Sequence, residues 1–226
     1  MIENIALIFT SYNISYILAG LGMTLFIAVI TLLGGTLLGT VLALFNNYGK
    51  WSGKIAAVIV EIFRNTPLLL WVFVAIAAVP LPSILSRALV ATVIFNAAII
   101  SEIIRGGLNA IPKGQLEAGR SQGFSFVQIM IYIILPQTFR KIIPTLTSQS
   151  ITIIKDTSYL AQIGVAELMF VVKKLMSTAN TFTGHPITAQ DVFILFGTAV
   201  VIYFVINFSL SVAVRKMQKK LDSNGK

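Results

Sequence analysis

Apolar residues run through this chain in long unbroken blocks separated by short polar islands. The first block is the longest, with no charged residue from Asn4 to Gly49. A helix needs about 20 apolar residues to cross a bilayer, so this block predicts a span over about 17–45, with some tilt or an interfacial lead-in. Within it, Gly35-x-x-x-Gly39 permits close approach of a second helix. Further blocks predict spans over about 55–79, 83–104, 142–162 and 191–214. The runs are continuous and do not alternate, which excludes a membrane β-barrel. The expected fold is an all-α integral membrane domain of about five helices, filling 1–226 as one unit.

The longest polar interruption is Lys113–Pro136, inside a loop over 105–136. It predicts two short helices. The first covers Gln115–Gln122 and stops at Gly123, a residue free to take the left-handed turn that ends a helix. Ser125 starts the second, and Gln128 three residues on completes a capping box. Val127, Met130, Ile131 and Ile134 give that helix an apolar stripe, and Pro136 predicts its end. A helix–glycine–helix element between two spans has the shape of a docking surface.

Polar residues inside the spans are the candidates for chemistry, because charge at that depth is costly and faces the bundle interior or a water-filled path. Glu61 and Arg64 stand three apart on one helical face and are able to pair. Thr66-Pro67 interrupts the backbone ladder just beyond them and frees carbonyls. Asn96 lies near the middle of the third span, with Glu102 and Arg105 at its end. The fourth span carries Lys155-Asp156-Thr157-Ser158, and Lys155 falls ~22 Å along the helix from Arg140. An amino acid entering a bundle brings a carboxylate and an ammonium that both need partners. Lys155 and Asp156 supply both charges, Thr157 and Ser158 add hydroxyls, and Arg64 and Asn96 are the expected companions. Lys155 and Asp156 point about 100° apart on a helix, so serving one ligand together requires local unwinding. A structural ion pair is the competing reading for Glu61 and Arg64. In the segment 164–184, Val165, Leu168, Met169, Val172, Leu175 and Met176 share a face, which predicts a helix on the membrane surface or over the bundle. His185, the one histidine, reads as a solvated loop residue.

Composition agrees with the pattern. Of 226 residues, 56% are hydrophobic and 11% charged, against about 25% charged in soluble domains. The net charge of +9 does not point to nucleic acid, because 12 of the 17 Lys and Arg residues fall in loops and tail on one side of a five-span threading. That side is expected to be cytoplasmic, placing the N-terminus outside and the C-terminus inside. The absence of Cys excludes disulfides and Cys-bearing metal or redox sites. The start, MIENIALIF, carries no basic region or cleavage site of a removable leader. No G-x-x-x-x-G-K-[ST] string cradles phosphate, so energy is expected from outside the chain, and no metal site is expected within it.

Several strings carry a family resemblance. Glu117-Ala118-Gly119, Gly123 six residues after the glutamate, and Ile133-x-Leu135-Pro136 resemble the EAA loop of ABC-importer membrane subunits, with Gly119 where the pattern has alanine. Glu61-Ile-Phe-Arg64-Asn-Thr66-Pro67, Ser101-Glu102-Ile-Ile-Arg105-Gly106-Gly107 and Lys155–Ser158 are similar to the branch serving polar amino acids, of the histidine/glutamine/opine type. The resemblance implies a type I importer-like permease subunit in a bacterial inner membrane. It also implies a second permease subunit, identical or paralogous, two ATPase subunits carrying ATP-Mg, and an extracytoplasmic substrate-binding protein. The chain itself would bind no cofactor. Glu117, Ala118, Gly119 and Gly123 would couple to the ATPases. Arg64, Asn96, Lys155, Asp156, Thr157 and Ser158 would line the substrate path, and Glu61, Pro67, Glu102 and Arg105 would be structural. The alternative is a proton-coupled secondary transporter using Glu61, Glu102 or Asp156. It would not need the docking loop.

Overall fold

The computed structural model describes the backbone of residues 7–224 and side chains through Lys219. The leader reading concerns residues 1–9, of which 1–6 lie outside the described residues, as do the last two residues of the basic tail. Ten α-helices are used below: α1 (Ser11–Tyr48), α2 (Trp51–Arg64), α3 (Leu68–Ala78), α4 (Ile84–Asn109), α5 (Gly114–Ser121), α6 (Phe126–Ile129), α7 (Leu135–Asp156), α8 (Leu168–Ser177), α9 (Ala179–Thr183) and α10 (Ala189–Asn224). Among the described residues, four segments are long and apolar enough to cross a membrane: Ser11–Tyr48, Ile84–Asn109, Phe126–Ile163 and Ala189–Lys219. Counting α2 and α3 as one broken span gives five.

The central pairing is α1 on α4. Gly39 lies directly on the α4 backbone, and a Cβ there would stand 2.8 Å from the Ala97 carbonyl oxygen. Small residues at such a contact drive helix association in lipid, where apolar burial alone gives little. A hydroxyl pair, Thr31 Oγ1 to Thr92 Oγ1 at 2.9 Å, adds a polar pin higher on the same interface. Three apolar clusters fill the bundle. Ile104, Leu108, Ile129 and Ile142 pack at the end holding α5. Ile27, Val72, Phe95 and Leu160 lie in the middle, and Ile17, Leu168, Val172 and Leu195 fill the far end. The outer faces stay apolar, as lipid requires: Leu37 is 71% exposed and Phe204 62%.

Two expectations are corrected and one is met. The span over 55–79 is interrupted at Thr66-Pro67, where α2 and α3 meet at an angle of 106°. Pro67 begins α3 as its N-cap, and its missing N–H ends the α2 ladder. Pro136, in contrast, breaks nothing. Phe126–Ile163 is one continuous helical segment of 38 residues, so the second docking helix and the span expected over 142–162 are the same rod. A π-helical stretch, Met130–Ile134, precedes the proline, and the Leu135 N–H donates to the Met130 oxygen five residues back. That wider turn relieves the clash between a proline ring and the carbonyl four residues earlier. Finally, of the two placements expected for this helix, α8 takes the one packed on the bundle and not the one on the membrane surface. Leu168, Val171, Val172 and Leu175 are buried against α1 and α10, whereas Met169 and Met176 are only half-buried.

Candidate functional site

The helix–glycine–helix element is built by local chemistry. The Gly123 N–H bonds Arg120 O at 2.9 Å and the Phe124 N–H bonds Gly119 O at 3.1 Å. These two bonds satisfy the orphan carbonyls at the end of α5 as a Schellman turn. The turn requires the left-handed residue, and Gly123 supplies it with φ 81°. Two residues on, the Ser125 hydroxyl accepts from the Gln128 N–H while the Gln128 side chain accepts from the Ser125 N–H at 2.8 Å. Gly119 is buried against Ile129, and a Cβ there would stand 2.7 Å from Ile129 Cγ1. Glycine at this position therefore lets α5 seat closely on α6. Glu117, Ala118 and Arg120 remain exposed on the outer side of α5. The exposed surface of α5 is thus polar, mixed in charge and held by a tight turn.

The bend between α2 and α3 is stitched by side chains. Asn65 Nδ2 donates to the Glu61 carbonyl and to Glu61 Oε2, both at 2.8 Å. Thr66 Oγ1 donates to Ile62 O at 2.7 Å and accepts from Trp71 Nε1 at 2.7 Å. The carbonyls freed by the interrupted ladder are thereby recaptured, as membrane surroundings demand. Beside the bend, Arg64 Nη1 lies 3.6 Å from Glu61 Oε1 and 3.4 Å from Glu102 Oε2. Arg105 grips Glu102 with two bonds of 2.8 Å, the bidentate fork that suits a carboxylate. Glu61, Arg64, Glu102 and Arg105 thus form one alternating cluster joining α2 to α4.

Asn96, 1% exposed, donates from Nδ2 to Thr92 O at 3.0 Å and accepts from Gln149 Nε2 at 3.1 Å. That contact ties α4 to α7. At the far end of α7, Lys155 is exposed and Asp156 half-buried. Thr157 Oγ1 donates to Ile154 O at 2.9 Å, and Ser158 Oγ donates to Lys155 O at 2.7 Å. The helix does not unwind here; it tightens into a 3₁₀ turn over Thr157–Ile163 that ends at Gly164. Arg64 and Asn96 are engaged with Glu102 and Gln149, not with Asp156.

A family described as binding-protein-dependent transport system inner membrane component matches residues 35–223. The chain belongs to this family. The probable glutamine ABC transporter permease protein GlnP of Bacillus subtilis is 34% identical over 93% of this chain and 95% of its own length. The glutamine transport system permease protein GlnP of Escherichia coli is 32% identical, covering 92% and 94%. A solved structure, an amino acid ABC transporter with histidines, superposes with a TM-score of 0.73 at 26% identity over 91% of this chain and 94% of that one. The fold is therefore that of a type I ABC-importer permease, multi-pass in the inner membrane. The proton-coupled alternative finds no support.

Sequence reasoning missed a fully buried carboxylate of this permease. Glu167 is fully buried. Its Oε1 accepts from the Phe170 N–H at 2.7 Å, which caps α8, and its Oε2 accepts from Tyr203 Oη at 3.1 Å and Thr24 Oγ1 at 3.4 Å. One side chain so joins α1, α8 and α10. Burial pushes the Glu167 carboxyl up, against the pull of backbone N–H groups and the two hydroxyls. The signal was a lone acidic residue between Gly164 and an apolar helix. Gln149 was missed as well, since a glutamine in a span carries no charge to draw notice. His185, expected to be solvated, is half-buried, with Nδ1 3.9 Å from Asp191 Oδ2.

Proposed function

We propose that this chain is the membrane-spanning subunit of an ATP-driven importer of a polar or charged amino acid. It works beside a second permease, two ATPase subunits that hold ATP-Mg on the cytoplasmic face, and an extracytoplasmic binding protein. The N-terminus is outside and the C-terminus inside. The observation that carries this reading is the continuity of Phe126–Ile163. One end of this rod belongs to the Gly123-hinged docking element, and its other end carries Lys155–Ser158. At ~1.5 Å per residue the two lie about 45 Å apart. ATPase closure that pushes α5 and α6 would tilt the rod, and with it the polar residues, between inward- and outward-facing arrangements. Arg64, Asn96 and Lys155–Ser158 are assigned to the substrate path. The relatives named for glutamine support a polar amino acid as cargo.

Reconstitution tests this. The complex with ATPases and binding protein should take up labelled polar amino acids only when ATP is inside, and the purified chain alone should hydrolyse none. Uptake driven by a proton gradient without ATP would overturn the reading.

A further inference from the structure

We propose that Glu167 is a positioning residue for import, the anchor that holds the far end of the Phe126–Ile163 rod and so fixes where Lys155–Ser158 face. This rests on the assignment of Lys155–Ser158 to the substrate path. The chain from the rod to Glu167 is short and held by its own bonds. The 3₁₀ turn Thr157–Ile163 ends at Gly164, where a φ of 83° turns the chain. The Gly164 N–H donates to Ala161 O at 3.3 Å, the Val165 N–H to Leu160 O at 3.2 Å and the Glu167 N–H to Val165 O at 2.8 Å. Leu160 and Val165 are buried in the cluster that holds Val72 and Phe95. A displacement of Glu167 is therefore passed to the end of the rod.

The anchor reaches further than a helix cap requires. Capping α8 takes one short oxygen-bearing side chain, such as Ser or Asp. Glu167 caps with Oε1 on the Phe170 N–H and has a second oxygen left for Tyr203 on α10 and Thr24 on α1. Thr24 Oγ1 in turn accepts from the Leu168 N–H at 3.1 Å, and Thr24 is itself fully buried. One turn away on α1, a Cβ at Gly20 would stand 2.8 Å from Val171 Cγ2, so α8 is seated closely on α1. Among the described residues, no Lys or Arg pairs with Glu167. A carboxylate without a cation at full burial is costly, and a Ser cap would avoid that cost. What the longer side chain adds is a fixed link between three helices.

Tyr203 connects the same carboxylate to the substrate path. Its hydroxyl donates to Glu167 Oε2 and stands within hydrogen-bond reach of Thr157, which is 2% exposed. Thr157 belongs to the polar set near the end of the rod, beside Asp156. Glu167, Tyr203, Thr24 and Thr157 thus bring the rod's end, α1, α8 and α10 to one point. A rod pushed at one end turns about its other end if that end is held. If it is released, part of the push is lost in shifting the rod as a body. The rod is pushed at the helix–glycine–helix element, and the hub of hydroxyls around Glu167 holds the opposite end. With the hub intact, motion at Gly123 becomes reorientation of Asp156 and its neighbours.

The experiment measures ATP hydrolysed per amino acid imported by the reconstituted complex, together with its melting temperature. Glu167→Leu removes the acceptors and should raise that ratio roughly tenfold, the scale on which single changes alter coupling between sites. Tyr203→Phe removes one hydroxyl from the hub and should raise the ratio too, with no further rise when added to Glu167→Leu. Glu167→Gln keeps an acceptor oxygen and should retain most of the coupling. Leu175→Ala is the control for a purely structural role. It opens the same α8 packing without touching the hub, and should lower the melting temperature at an unchanged ratio. The proposal is overturned if Glu167→Leu and Tyr203→Phe leave the ratio at the wild-type value, or if Leu175→Ala raises it as much as they do. Tyr203→Phe alone decides the matter where Glu167→Leu does not assemble. Failure of the substrate-path assignment reads differently, as normal uptake by Asp156→Asn.

Discussion

Arg64 on α2 and Glu102 on α4 face each other at 3.4 Å beside the bend at Asn65–Pro67. The bent pair is thereby tied to the helix that runs into the docking element. Arg105 completes the tie by gripping the same carboxylate.

Charge reversal tests this link. Arg64→Glu and Glu102→Arg should each lower uptake, and the double swap should recover most of it. The coupling energy between the two sites, read from thermal unfolding of the purified complex in a double-mutant cycle, should be about 0.5–1 kcal/mol. Additive losses with no recovery in the swap would show that the pair does not act as a unit.

Asp156 is the anion assigned to the substrate ammonium. Asp156→Asn keeps its size and removes its charge, and should weaken uptake by about 1.5–3 kcal/mol, roughly 10- to 100-fold, if the contact is direct. Uptake kinetics at saturating binding protein, with a check that the complex assembles, decide it. Unchanged kinetics would remove Asp156 from the path.

How far these assignments were legible in the sequence depends on the length scale of each feature. The capping box at Ser125 and the turn at Gly123 were readable because their geometry involves residues one to five apart. That a second helix seats closely on α1 was readable from the Gly35–Gly39 spacing, but that this helix is α4 was not. Pro136 misled, since a π-helical turn absorbs a proline and no residue pattern in Met130–Ile134 announces one. The pairing of Arg64 with Glu61 was readable from their spacing of three, but its second partner Glu102 and the partner of Asn96 were not. Glu102 is 38 positions and Gln149 53 positions away, and only the packing of α4 against α2 and α7 brings them together. Glu167 hid for the same reason, as its hydroxyl partners belong to α1 and α10.

Glu167 makes stability depend on pH. A carboxyl pushed up by burial favours the folded state while it is protonated. That contribution is complete below the unfolded value of about 4.3 and is lost as pH rises through the higher folded value. Glu167→Gln mimics the neutral form without titrating. The melting temperature of the wild-type complex should therefore fall relative to that of Glu167→Gln as pH is raised from 4 to 8. A difference that stays flat, or grows in favour of the wild type, would contradict the assignment.

Asn96 and Gln149 should behave as a coupled pair. Asn96→Ala leaves the Gln149 amide without its acceptor and should destabilise the complex by about 1–3 kcal/mol. Adding Gln149→Leu should restore part of that loss, because the unpartnered amide is gone. Thermal unfolding of the single and double variants checks it, and a purely additive loss would mean the 3.1 Å contact carries no weight.

The central claim is that the Gly123-hinged element couples this permease to ATP hydrolysis, and Gly123→Val addresses it most directly. A β-branched side chain resists the φ of 81° found there, so the turn between α5 and α6 should open while the spans remain intact. In the reconstituted complex, substrate uptake and ATPase turnover are measured together with the amount of ATPase subunit bound. The expected result is reduced ATPase binding, or hydrolysis that continues while uptake falls at least tenfold. Full uptake with full ATPase association in Gly123→Val would contradict the account.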